Sequence, residues 1–306
     1  MKIKQISSAQ DMSKSPDSVL VLGYFDGLHR GHQALIDQAR RLAEKEALEV
    51  VLLTFPESPR LMFEKYQEDM LLHLLSFSEM AKRLDEMGVT KLYLKPFTAS
   101  FSQLTAQEFV ASYIQALSPK YVLAGFDYRM GRDKQLLSEV TNLSPAKPII
   151  VEKISDEVGK ISSTRIRQAL KDGDVTLANH LLGYEFPTTG LVVHGDARGR
   201  TIGYPTANIA LTERTHLPAD GVYVTDVLIA GKRYRAMTSL GKNTTFGGTQ
   251  LRLEANIFDF DGDLYGEELT ILWLDKIRDM VTFDGVDALI AQLENDKAIA
   301  LAYEKE

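Results

Sequence analysis

Hydrophobic and polar positions follow two different rhythms in this chain, one on each side of residue 183. In the first part, short apolar runs give way to stretches where apolar residues recur every three or four positions. The run at 19–22 predicts a buried strand, and Leu35, Ile36, Ala39, Leu42 and Ala43 then share one helical face. A second run at 50–55 closes a strand, turn, helix, strand unit. Two further helices are announced by capping boxes, Ser76 with Glu79 and Thr105 with Glu108, in which hydroxyl and carboxylate satisfy each other's backbone donors. Each leads to a short strand, at 91–94 and 121–124. This alternation predicts a parallel sheet wrapped by helices, because parallel neighbours need a crossover between them. Helical segments at 165–171 and 174–182 follow, until Gly183 and Pro187 break the period.

Beyond that break the period shortens. Runs at 190–194, 221–229, 233–239, 251–260 and 268–274 read as strands, Asp261-Gly262 is a hairpin signal, and 286–303 returns to helical periodicity. The expected architecture is α/β in residues 1–183, followed by a small antiparallel β-barrel with a C-terminal helix in 184–306. A chain of 306 residues, 44% hydrophobic and 25% charged, suits two ordinary globular cores. A net charge of -7 argues against nucleic acid as the main partner, since counterion-release binding needs a basic face. With no cysteine, disulfides, thiolate catalysis and cysteine-bound zinc are excluded, and a reducing cytosol fits. The start is polar, and no apolar run approaches the ~18 residues of a spanning helix. The chain therefore reads as cytoplasmic, without a membrane partner.

Chemistry concentrates in a few segments. Gly23-Tyr24-Phe25-Asp26-Gly27-Leu28-His29-Arg30-Gly31-His32 joins the first strand to the first helix, where a parallel sheet presents its ligand crevice. Its glycines let the backbone approach a phosphate chain, the helix start supplies unpaired N–H groups, and His29 and His32 add donors. Taken alone, the same letters also suit a glycine-rich turn with two surface histidines. Gly125-Phe126-Asp127-Tyr128-Arg129-Met130-Gly131 follows another strand, with Asp127 either a turn cap or a ligand contact. At Ile161-Ser162-Ser163-Thr164-Arg165-Ile166-Arg167, hydroxyls open a helix and Arg167 sits one turn in, either as an ordinary cap or as a phosphate grip. In the second part, 194–208 is dense in glycine, arginine and hydroxyls but has neither P-loop nor protein-kinase spacing. Pro205 stiffens the approach to Thr206 and Asn208, whose oxygens suit a hard cation. Glu254 lies on a strand opposite Leu251, Leu253, Ala255 and Ile257, together with Arg252 and Asn256. By pattern alone it is a solvated strand glutamate or a general base.

The block Gly23 to His32 resembles the signature of the HxGH nucleotidyltransferase superfamily. Its Phe25-Asp26-Gly27 resembles that of the bacterial bifunctional riboflavin kinase/FAD synthetase family in particular. Pro205-Thr206-Ala207-Asn208 is similar to the riboflavin kinase motif, and Gly221-Val222-Tyr223, the 240–246 segment and Leu253-Glu254 extend the likeness through nearly the whole chain. Tyr24 and Thr244 depart from the pattern, which has a small residue and a proline there. The resemblance implies a Rossmann-like FMN adenylyltransferase domain and a riboflavin kinase barrel, both using Mg²⁺ with ATP. It implies that Gly23, Phe25, Asp26, His29, Gly31, His32, Ser163, Thr164 and Arg167 hold ATP for adenylyl transfer. Asp127 and Arg129 would touch flavin or nucleotide. Gly195, Arg200, Gly203, Thr206 and Asn208 would hold ATP for the kinase, with Thr206 and Asn208 on the metal and Glu254 as base. The partners so implied are ATP, riboflavin, FMN and FAD, with transient handover to flavoproteins.

Overall fold

The computed structural model describes residues 1–140, 145–195, 198–242 and 251–304, so Asp196 and the 243–250 segment with Thr244 lie outside the described residues. Contacts divide the chain into two compact units, Met1–His73 with Phe77–Ser162, and Leu74–Ser76 with Ser163–Glu306.

The first unit is built on strands β1 (Lys2–Gln5), β2 (Ser18–Leu22), β3 (Glu49–Thr54), β4 (Lys91–Leu94) and β5 (Tyr121–Gly125). A small hairpin, β6 (Arg129–Met130) with β7 (Gln135–Leu136), and a last strand, β8 (Lys147–Val151), follow. The six-stranded sheet has the order β1-β4-β3-β2-β5-β8, and every pair in it is parallel. Helices α1 (Arg30–Glu46), α2 (Phe77–Glu86), α3 (Ala99–Ser102), α4 (Ala106–Phe109) and α5 (Gln115–Leu117) supply the crossovers, with a π segment at Val110–Ile114 joining the last two. β2 is buried at every position, as a central parallel strand must be. From β2 the chain winds outward to β3 on one side, while β5 pairs on the other. This reversal opens the crevice at the C-terminal ends of β2 and β5.

The second unit begins with α6 (Ser163–Asp172) and α7 (Val175–Leu182), the latter capped by Asp174 and ended by Gly183 at φ 80. Strand β9 (Phe186–Val193), helix α8 (Arg198–Thr201) and strands β10 (Ala207–Leu211), β11 (Gly221–Ile229), β12 (Lys232–Lys242), β13 (Leu251–Ile257) and β14 (Glu268–Arg278) follow, then helix α9 (Val286–Ala302). The strands close a barrel in the order β10-β13-β12-β11-β14-β9. Tyr223 meets Trp273 edge-on at 5.0 Å, and Thr225 and Thr238 share a buried 2.7 Å hydroxyl bond. On the outside, Val224, Met237, Phe258 and Leu274 pack with Ala300 of α9. The Asp261-Gly262 turn does not make the expected hairpin, since β13 pairs with β10 and β12 whereas β14 pairs with β11 and β9. The tight hairpin is Ala230-Gly231 between β11 and β12, with φ 48 and 78 at the two turn residues.

Candidate active sites

The turn after β2 places His29 as the N-cap of α1. Its Nδ1 accepts the backbone N–H of His32 at 3.4 Å, which leaves the His29 proton on Nε2. The two imidazoles stack at 3.7 Å, and Phe25 abuts His32 edge-on at 5.3 Å from a fully buried position. Asp26 is buried as well. A Cβ on Gly31 would crowd the His29 ring at 3.1 Å, and one on Gly23 would strike Phe25 at 2.9 Å, so both glycines are needed for this packing. Burial, helped by the charge of Lys160, lowers the His29 pKa to about 4 against the weaker opposing pull of its own backbone and Asp127. Burial, then His29, then Lys160 drive His32 well below the usual histidine range. Both rings are neutral near pH 7. Nδ1 of His32 is buried and has no hydrogen-bond partner among the described residues.

Asp127, expected as a turn cap or ligand contact, pairs with Lys160, whose ammonium also lies over the Phe126 ring at 5.0 Å. Arg129 is exposed and donates to the Lys134 carbonyl at 3.1 Å inside the small hairpin. Sequence reasoning passed over an aromatic wall at the same C-terminal edge of the sheet. Phe97 meets Phe55 at 5.0 Å, Phe101 at 5.3 Å and Phe63 at 5.7 Å, each edge-on. Phe63 is 69% exposed. The available signal was Phe55-Pro56 directly after β3 and Pro96-Phe97 one residue beyond β4, where ligand-binding loops of a parallel sheet belong.

In the second unit, Asn208 and Glu254 are cross-strand neighbours on β10 and β13. Thr206 donates through Oγ1 to Glu254 Oε2 at 3.4 Å, and Arg252 lies 3.7 Å from the other carboxylate oxygen. Leu253 and Ala255 are buried, so Glu254 faces the opposite way, as its alternation required, although Leu251 is 52% exposed at the strand's start. Asn256 is buried and donates to the Pro205 carbonyl at 2.6 Å, pinning the residue before Thr206. Gly195 packs so closely on the Asn208 amide that no Cβ fits there. Tyr204 N–H reaches back to the Gly199 carbonyl at 2.8 Å, with Gly203 at φ 83 between them and Arg200 exposed on the turn. The Thr206 hydroxyl and the Asn208 amide thus lie at the same end of the β10–β13 pair as the Glu254 carboxylate, and their oxygens are of the kind that hard cations take.

At the start of α6, Ser163 is half-buried and Thr164 exposed, while Arg167 donates through Nε to Nε2 of the buried His216 at 3.1 Å.

Family models match both parts of the chain, FAD synthetase over residues 11–165 and riboflavin kinase over 182–304. The bifunctional riboflavin kinase/FMN adenylyltransferase of Listeria monocytogenes is 40% identical, covering 94% of this chain and 92% of its own. The Escherichia coli K12 protein of the same name is 34% identical, with 97% of each chain covered. A solved structure described as a macrolide-efflux protein from Streptococcus pneumoniae is 50% identical, with a TM-score of 0.94 over 99% of this chain and 100% of that one. Among the described residues, no helix of this chain is long and apolar enough to cross a membrane.

Proposed function

The chain belongs to the bifunctional riboflavin kinase/FMN adenylyltransferase family, and from that premise we propose how its residues divide the two reactions. It phosphorylates riboflavin to FMN with ATP, and it adenylylates FMN with ATP to give FAD and pyrophosphate.

Adenylyl transfer belongs to the crevice of the parallel sheet. A phosphate oxygen of FMN attacks the α-phosphorus of ATP while the bond to pyrophosphate breaks, so the protein's task is to stabilise charge on the phosphoryl oxygens. His29 donates from Nε2 and His32 from Nδ1, aided by the amides and dipole at the start of α1. The observation that carries this assignment is the orphaned His32 Nδ1. A buried polar atom left unpaired costs roughly 1–3 kcal/mol, which a phosphate oxygen would relieve. Gly23 and Gly31 serve the ATP site through the close packing they allow, of Phe25 on the turn and of the His29 ring on the helix start, with Asp26 buried in the same turn. Ser163, Thr164 and Arg167 take further ATP phosphates on the strength of the family motif. Asp127 with Lys160, and Arg129, border the nucleotide or flavin, and the wall of Phe55, Phe63, Phe97 and Phe101 suits a planar ring, which we assign to isoalloxazine.

In the barrel, Glu254 accepts the proton of the ribityl hydroxyl as that oxygen attacks the γ-phosphorus of ATP. Gly195, Arg200 and Gly203 line the phosphates, and Thr206 and Asn208 would hold the cation, which we take to be Mg²⁺. That ion neutralises phosphate charge when bound. The cytoplasm is the setting this reading implies, with FAD handed on transiently to flavoproteins.

Chromatography of riboflavin, FMN and FAD after incubation with Mg-ATP tests the division. His32→Ala should accumulate FMN and make no FAD, whereas Glu254→Ala should make FAD only when FMN is supplied. A folded variant that loses both activities through either change would show the two-site assignment to be wrong.

A further inference from the structure

Tyr24 stands in the phosphate-binding turn where the related motif has a small residue, and its hydroxyl has a definite destination. It lies 3.4 Å from Nδ1 of His73, while Nε2 of the same ring is 3.3 Å from Glu57 Oε2. The three side chains come from separate places at the ligand edge: Tyr24 follows β2, Glu57 follows β3, and His73 ends the long connection that leaves β3. The phenol is within hydrogen-bond distance of Nδ1, and the Glu57 carboxylate lies against Nε2 as a close polar contact. The His73 side chain is 23% exposed, so both contacts are largely shielded from water.

The connection closed by His73 also carries part of the aromatic wall. Residues 55–73 contain two 3₁₀ turns, Pro59–Met62 and Glu68–Leu71, and an ion pair between Arg60 and Glu64 at 2.7 Å that is internal to the segment. Phe63, Tyr66 and Met62 project from it with 69%, 57% and 40% of their surface exposed. Apart from the Phe63–Phe97 contact and the buried Met70, the segment has little apolar cover, so its ends contribute much of its position. Phe55 secures the first end against Phe97 and Phe101. The Tyr24–His73–Glu57 contacts secure the second, and they secure it to the turn that leads into His29.

We propose that Tyr24, His73 and Glu57 form a latch that ties the wall-bearing connection to the phosphate-binding turn, setting the span between the flavin ring and the phosphate that attacks ATP. These are positioning residues, acting through Phe63 and the turn rather than on the reacting atoms. The proposal rests on the assignment of the aromatic wall to the flavin. Its chemical consequence is specificity for a phosphate ester of that one length, because reacting groups held off by a fraction of an ångström lose much of their proximity advantage.

The test uses the full chain with Tyr24→Phe, His73→Gln, the double variant, and Phe97→Ala. Adenylyl transfer is measured with FMN varied at saturating ATP and the reverse, with riboflavin phosphorylation beside it, and the urea midpoint of the first unit, read on each full-length preparation, confirms an intact fold where the variants lie. Loss of a contact worth about one hydrogen bond should lower kcat/KM for FMN roughly 3- to 10-fold in each latch variant, with kcat falling as well as KM for FMN rising. KM for ATP and the kinase rate should stay within about twofold of the parent. The double variant should be no worse than the worse single one, because either change opens the same latch. Multiplying effects, or equal rises in KM for FMN and ATP, would overturn the latch. If Phe97→Ala raises KM for FMN while the latch variants are silent, the latch alone is wrong. If Phe97→Ala is silent, the flavin assignment fails and the latch with it.

Discussion

The ring of His29 caps α1 through Nδ1, so its proton sits on Nε2, and burial holds it in that neutral form. A pH dependence of stability follows, with a definite sign. The unfolded chain takes up a proton on each histidine near pH 6.5, whereas folded His29 does so only at about 4 and folded His32 well below its usual range. The unfolded state therefore binds more protons below about 6.5, so stability is full above that pH and falls as pH drops toward 4. The loss from His29 alone should reach about 3 kcal/mol at the lower limit. Urea midpoints between pH 7.5 and 4.5 for the parent and for His29→Asn, which keeps a capping side chain, measure the effect as a difference in slope. Parallel slopes would mean that His29 is not buried in the neutral form.

At the scale of elements, the sequence was most readable where local chemistry decides the structure. The Thr105–Glu108 capping box is present with both arms formed, at 2.7 Å to the Thr105 amide and 3.2 Å from the Glu108 amide. Strand β1 was passed over because all four of its residues are exposed, leaving no apolar alternation to detect at a sheet edge. Strand β10 was read only as part of a binding motif, since five residues starting two positions after a proline carry little pattern. The Asp-Gly signal misled because a turn's own chemistry does not reveal which strands close the barrel. The same limit hid Asp296, which sits in α9 with no exposed surface and takes Arg278 as a bidentate partner, Nη2 to Oδ2 at 2.8 Å and Nε to Oδ1 at 3.1 Å. Gln292 adds a 2.8 Å bond to the same carboxylate. Helical periodicity cannot show a partner on β14. Asp296→Ala should leave the mostly buried guanidinium uncompensated and cost about 3 kcal/mol, read as a lower urea midpoint. Riboflavin phosphorylation by the remaining folded protein should be unchanged, and a cost below about 1 kcal/mol would reduce the pair to a surface contact.

At the scale of the whole molecule, the division of chemistry and the division of folding need not share a boundary. We keep 1–183 and 184–306 as the two halves of the chemistry, a division suggested by the change of hydrophobic period at Gly183. Compactness instead places α6 and α7 with the barrel, and the two family matches leave 166–181 between them. The packing says why these helices belong with the barrel as a folding unit. Asn179 on α7 donates to the Trp273 carbonyl at 2.8 Å and accepts the Phe186 amide at 2.7 Å, while the Ala219 amide reaches the Leu170 carbonyl of α6 at 2.8 Å. Val175, Ala178, Leu181 and Leu182 are buried, as are Phe186 and Trp273. A fragment of residues 163–306 should therefore fold and phosphorylate riboflavin. One starting at 184 loses at least these three hydrogen bonds at roughly 1 kcal/mol each, before the Thr176 and Arg167 contacts and apolar cover are counted, and should be less stable by about 3 kcal/mol or more. Urea unfolding of the two fragments, with riboflavin kinase assays beside it, decides the matter. Equal midpoints would show that α6 and α7 add nothing to the barrel's cooperativity, and the folding boundary would then move to the chemical one.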